Sequence, residues 1–385
     1  MRIETFEGEE WRRTRAPRSV SEAFRSTREF LRTIRHGDRT RLAGVIDFSY
    51  QHYALGDALT SEVNLACLAI ERRCTSIDLY LIVDPSRPSA PVQGFITEHN
   101  FLSYLDNVLP AFLATPMLRS MHVLRDRESA AMAIVSLAAS RAPMWPPVWH
   151  QLRRRMTYPM GHELINAFHA RHGYIPTLAA PRGYAAWARR FINQYHENRF
   201  LVVINPRQSR LTPVPATIHR DAPLSEWYEF LTGIKTRHPD VHFFMVGGFS
   251  EWEPRLLGMS NVSVPRTMGL TLAHELALLD ACDLFLGTSS GFATMATFSH
   301  VPYLITGIEE MFAPYAGVAV GAERYPFARE HQTLVWWQED AGLLRHHFEQ
   351  AYGARSRRRA SEGSSGAAGG PRGGADRSGA PRIAG

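Results

Sequence analysis

Residues 283–306, DLFLGTSSGFATMATFSHVPYLIT, leave the backbone few choices. An apolar run from Asp283 to Leu286 stops at the small-polar turn Gly287-Thr288-Ser289-Ser290-Gly291. An alternation rich in Ala, Phe and Met follows, and His300-Val301-Pro302 leads into a second apolar run, Tyr303 to Ile305. That order predicts strand, tight loop, helix, strand. The first N–H groups of a helix lack partners and its dipole is positive there, so a helix opened by serine hydroxyls and glycine favours an anion, a nucleotide diphosphate above all. The same residues also suit a serine cap and glycine turn that bind nothing. The rest of the chain has to decide.

At 385 residues the chain is long enough for two domains with large cores. No apolar run approaches the roughly 20 residues of a spanning helix. The N-terminus, MRIETFEGEEWRRTR, lacks the apolar centre of a signal peptide, so a cytoplasmic protein is expected. Cys67, Cys74 and Cys282 fall in no metal-binding spacing, and Cys67 and Cys282, in apolar surroundings, are expected to be buried reduced thiols. The net charge of +6 is concentrated at the ends: residues 1–41 carry +4, residues 353–385 carry +5, and the segment between them carries −3. A nucleic-acid partner is therefore not expected for the folded part. With one lysine, Lys235, against 42 arginines, the composition makes any single Arg weak evidence for anion recognition.

Val20, Phe24, Leu31 and Ile34 recur at helical spacing among arginines in a basic arm, residues 1–41. The arm reads as a helix packed on the fold or as peripheral contact with an anionic membrane. Strands are predicted at 42–48, 77–83 and 121–124, with helices between them, the second near 98–115. Residues 141–198, rich in Pro, Arg, Trp and His, predict irregular structure and bridging helices. Strand–helix alternation resumes at 200–205 and runs to a last helix at 337–352. Alternation of this kind implies parallel βαβ units. The domains expected are the arm 1–41, a first Rossmann-like domain 42–185, a second at 186–352, and a disordered tail 353–385, where Arg, Gly, Ser and Ala dominate.

Leu55-Gly56-Asp57-Ala58-Leu59-Thr60 follows the first strand. Late in the second half come Asp283, Gly287, Ser289, Ser290, Gly291, Met295-Ala296 and Val301-Pro302. Together, in this order, they resemble the GT-B glycosyltransferases of the bacterial heptosyltransferase-like and fucosyltransferase-like group. The resemblance runs over residues 42–352. It implies two Rossmann-like domains facing across a cleft, the acceptor on the first and the nucleotide-sugar donor on the second. It further implies an inverting enzyme of surface polysaccharide or lipopolysaccharide synthesis, acting on a glycan or lipid-linked acceptor, with Asp57 as base. The chain departs from the pattern at Pro206-Arg207-Gln208-Ser209-Arg210, which lacks the glycine-rich form and the lysine common there.

Transfer from a nucleotide sugar needs a cradle for the departing diphosphate and a base for the acceptor hydroxyl. Thr288, Ser289, Ser290 and Gly291 are candidates for the cradle, with Arg207 opposite at a strand C-terminus and Arg210 and Arg220 as further cations. The loop with Pro265, Arg266 and Met268 is a candidate for the nucleobase. Asp57 doubles as a helix N-cap, and His52, five residues earlier, has the better intrinsic pKa for a base. His162 and Glu163 are outside candidates for reaching an acceptor, and Trp145, Trp149 and Tyr158 for stacking on sugar. No Asp-x-Asp occurs, and neither a metal nor another cofactor is expected.

No Gly-x-Gly-x-x-Gly or Gly-x-x-x-x-Gly-Lys-Ser/Thr is present. Gly287-Thr288-Ser289-Ser290-Gly291 does spell Gly-x-Ser-x-Gly, so a serine hydrolase using Ser289 with Asp340 and His346 is an alternative. A sugar-nucleotide 2-epimerase of the same architecture is another, and a non-catalytic binding component a third.

Overall fold

The computed structural model describes residues 39–147, 161–208, 221–248 and 254–367. Residues 1–38 of the arm, Arg210, Arg220, Trp149, Tyr158 and residues 368–385 lie outside the described residues. The fold is α/β, with two wholly parallel sheets. The first contains β1 (Arg41–Asp47), β2 (Ser76–Ile82), β3 (Leu118–Leu124) and β4 (Met144–Trp145) in the order β3-β2-β1-β4. The second contains β5 (Phe200–Asn205), β6 (Val241–Met245), β7 (Val262–Ser263), β8 (Leu284–Thr288), β9 (Tyr303–Thr306) and β10 (Gln332–Leu334) in the order β10-β9-β8-β5-β6-β7. Strands β5, β6, β8 and β9 are buried along their whole length, which is why they read as continuous apolar runs.

In the second sheet the chain winds outward from β5 to β7, then returns to β8 and winds the other way. The order therefore reverses between β5 and β8. A crevice forms beyond the carboxyl ends of strands at such a reversal, and ligands of open α/β sheets bind there. Arg207 and Ser289 both lie on this edge.

The helix Leu55–Glu71 joins the halves. Every residue from Ala58 to Ala69 is buried, because the helix packs on the first sheet, on the helix Glu163–His172 and on Gly291–Thr297 of the second half. One apolar core accordingly includes Leu59 and Val63 together with Leu201, Phe244, Phe292 and Met295. A second core, with Trp227, Phe230 and Phe348, covers the other face of the second sheet.

Two glycines permit this close crossing. A Cβ on Gly291 would lie 2.6 Å from Leu55 Cβ and 3.1 Å from the Gly56 nitrogen, and one on Gly56 would lie 3.0 Å from Thr294 Oγ1. Gly291→Ala should therefore lower stability by about 1–3 kcal/mol, the usual cost of overpacking. Urea unfolding measures this directly, and an unchanged midpoint would mean that the two helices separate without strain.

Three sequence expectations need correction. The segment near 98–115 divides into the helix Phe101–Val108 and a 3₁₀ turn, Leu109–Leu113, because Pro110 cannot continue the ladder. The last helix runs from Ala341 to Ala367, well past the tail expected from 353. Arg355 fastens it by donating to the Arg199 carbonyl and pairing with Asp283. The expected boundary at 185/186 falls within the helix Arg182–Tyr195, which packs on Leu272–Ala281 of the second half.

Candidate active site in the cleft between the halves

A cavity of about 670 Å³ opens between the carboxyl edges of the two sheets. His52, Asp57 and Thr60 line it from the first half, and Arg207, Ser289 and Ser290 from the second.

The loop carrying His52 is pinned on both sides of it. Ser49 caps back onto Asp47 through its N–H and hydroxyl, at 3.0 and 2.7 Å. Gln51 Nε2 donates to Ser61 Oγ, the Tyr53 N–H donates to Gln93 Oε1, and the Tyr53 hydroxyl reaches the Pro88 carbonyl. Asp47 itself is held by Arg127, which also pairs with Asp84, so the ends of β1 and β2 are braced together. His52 is thereby held with its Nδ1 3.0 Å from Asp57 Oδ2.

A carboxylate only accepts, so Nδ1 carries the proton of that bond and, in the neutral ring, Nε2 keeps the lone pair. Both side chains are 28% exposed, accessible to a ligand yet partly shielded. The hydrogen bond that His52 donates to Asp57 raises the His52 pKa above its ordinary value, the charge of Asp57 adds to the effect, and burial opposes it. Asp57 makes no side-chain cap to its own helix, whose N-cap is Ala54. Its bond to His52 replaces the capping role.

Across the cavity, Ser290 is the N-cap of Gly291–Thr297 and its hydroxyl accepts from the Ala293 N–H at 3.3 Å. The Ser289 N–H donates to the Thr306 carbonyl at 2.8 Å, fixing the loop over β9. Arg207 is fixed through its backbone: its N–H donates to Thr288 Oγ1, and its carbonyl accepts from Ala222 and Gln208. Thr288 is thus a buried tie between β5 and β8 and does not line the cavity. Gly291 lines it but also serves the crossing with Leu55.

The remaining candidates separate. Pro265, Arg266 and Met268 are not among the residues lining the cavity. Pro265 is buried, Met268 is exposed, and Arg266 pairs at 2.8 Å with the fully buried Glu275, which also accepts from the Gly247 N–H. That loop is an anchor behind β6. His162 does line the cavity, whereas Glu163 and Trp145 do not. Asp340, just before the last helix, accepts from the Leu343 N–H through Oδ1, His346 within it bonds Gln350, and neither lines the cavity. Ser289 is also absent from the described non-glycine residues with positive φ, so the strained elbow of a serine hydrolase is not formed.

Sequence reasoning missed the wall towards β9 and β10. Ile305, Ile308, Phe312, Tyr325, Leu334 and Trp336 line it, and the exposed Val92 and Met311, at 72% and 65%, contribute to the cavity lining from opposite halves. These residues come from separate loops, and no spacing marks them. Among the described residues, no three His, Cys, Asp or Glu side chains form a group that could hold a metal ion. No described helix is long and apolar enough to cross a membrane.

No protein family matches the sequence, and none of the curated proteins compared with it does. Among solved structures, the chain is similar to a glycosyl transferase family 9 protein from Veillonella parvula. The identity is 11%, the match covers 76% of this chain and 85% of that one, and the TM-score is 0.46. It is similar to an E. coli heptosyltransferase with ADP at 12% identity, over 81% and 99% of the two chains, with a TM-score of 0.45. It is similar also to the E. coli ADP-heptose lps heptosyltransferase II at 9% identity, over 82% and 99%, with a TM-score of 0.47.

Proposed function

We propose that this chain is a glycosyltransferase that moves a sugar from a nucleotide-sugar donor to an acceptor hydroxyl, with inversion and without a metal ion. One observation carries the reading. The His52–Asp57 pair and the group Arg207, Ser289 and Ser290 line a single cavity from opposite halves, at the strand-order reversal of the second sheet.

In this scheme Arg207 and the serine loop bind the diphosphate, and the acceptor lies beside His52. His52 Nε2 takes the proton of the acceptor hydroxyl, whose oxygen forms a bond to the anomeric carbon as the bond to the diphosphate breaks. The charge gathering on the departing diphosphate falls next to Arg207 and the helix start. Asp57 holds the ring in the right tautomer and stabilises the imidazolium that forms. The proposed setting is the cytoplasmic side of bacterial surface polysaccharide synthesis, with a glycan or lipid-linked acceptor and the +4 arm as peripheral membrane contact.

A thermal-shift screen against nucleoside diphosphates and nucleotide sugars tests the donor site. A ligand at about 100 times its Kd stabilises by about 2.7 kcal/mol, a clear upward shift. No shift with any of them at millimolar concentration would sink the reading. For a ligand that does bind, release of a free 2-epimerised sugar would reassign the activity to an epimerase, and binding without turnover would indicate a binding component.

A further inference from the structure

His162 precedes the helix Glu163–His172 where the first half meets the segment Ala313–Gly317 of the second. Its N–H donates to the Tyr315 carbonyl at 2.6 Å, and Asn166 Nδ2 donates to the Ala316 carbonyl at 3.0 Å. A Cβ on Gly161 would lie 2.8 Å from that same Tyr315 oxygen, so the backbone before the histidine is closely seated as well. These contacts hold the imidazole in the cavity wall, its centroid 5.0 Å from Phe298 and 5.2 Å from Tyr325. Nδ1 is shut off from solvent with no hydrogen-bond partner. Burial among these rings brings the imidazole down to about 4, so near neutral pH it offers one N–H and one lone pair and no charge.

The cavity is chemically divided. Arg207 is the one Arg or Lys among its described lining residues. The residues beside His162 are instead aromatic, Tyr325 in the cavity lining and Phe298 next to it. A phosphate belongs at the Arg207 end. The His162 end suits an uncharged ring with apolar C–H faces and hydroxyls, which aromatic walls and a neutral imidazole satisfy together.

We propose that His162 is the sugar-recognising residue of the cleft, hydrogen-bonding a hydroxyl of the sugar carried by the donor. This rests on the glycosyltransferase reading above. The experiment is calorimetric titration of wild type, His162→Phe and His162→Gln with ADP-, GDP- and UDP-sugars and with the parent diphosphates, each variant first checked by its Tm. His162→Phe should weaken the nucleotide sugar at least tenfold while the parent diphosphate stays within twofold, and His162→Gln should recover part of the loss. Undiminished nucleotide-sugar affinity in His162→Phe overturns the proposal. Equal losses for sugar-bearing and sugar-free ligands also overturn it, since the role would then be structural. If wild type binds none of the panel, the underlying reading fails and this inference with it.

Discussion

Replacing His52 by Ala should reduce turnover by roughly 10²–10⁴-fold, the range over which a positioned general base contributes. Affinity for the nucleoside diphosphate should barely change, because the anion cradle lies on the other half. The pH profile gives a sharper signature. A base works in its deprotonated form, so the rate should rise with pH through the His52 pKa, which the Asp57 hydrogen bond sets above its ordinary value. Asp57→Asn removes that charge and should move the ascending limb to lower pH while lowering the plateau. Steady-state rates from pH 5 to 9 for the three proteins decide the matter. Full activity in His52→Ala alongside an inactive Asp57→Asn would make Asp57 the base itself.

Acidification should destabilise this protein from about pH 6.5 downwards, through histidines that burial keeps neutral. The His196 and His242 rings lie tilted to each other with centroids 4.1 Å apart, His242 Nε2 is against Ser263 Oγ, and burial brings the two rings to about 4 and about 3 respectively. Arg199 adds to the depression of both. His162 lies at about 4 for the same reason, burial. In each case the folded state holds a neutral ring that the unfolded chain protonates below pH ~6.5. Unfolding therefore takes up protons, and stability is full above that value. It falls as the pH drops towards 4, at up to about 1.4 kcal/mol per pH unit for each ring. One such site alone removes about 3 kcal/mol by pH 4, a large part of a typical domain's stability. Urea midpoints between pH 7.5 and 4.5 should drop steeply in wild type and less in the double variant His196→Gln/His242→Gln. Parallel curves would show that these two rings do not set the acid limit.

What could be read in the sequence, and what could not, follows from the range of the interactions. The strands at 200–205 and 241–246 were legible because burial on both faces writes an unbroken apolar run. Strands β4 and β10, two and three residues long, have no such signature. Met144 and Trp145 become a strand only because they pair with Ala43 and Gly44 on a distant β1. The serine loop and Asp57 were marked by their turn residues. The direct bond between His52 and Asp57 was not, since it depends on how Gln51 and Tyr53 are tied to Ser61 and Gln93. The loop with Pro265, Arg266 and Met268 follows a strand end and reads as a nucleobase candidate, and only the fold shows Glu275 engaging Arg266. The His162 wall is drawn from both halves, so no local pattern could have placed it.

The core shared by the two halves bears on how substrates would come and go. Prising the halves apart would strip Phe292 and Met295 from Leu59 and Val63 and expose them to water, so a wide hinge motion is disfavoured. Traffic would then pass Val92 and Met311, two side chains of the cavity lining already in solvent. Rotamer changes of exposed side chains take picoseconds to nanoseconds, against microseconds to milliseconds for domain rearrangement. Ligand exchange in this protein would accordingly be governed by how tightly the cradle and wall hold the molecule, with little delay from opening.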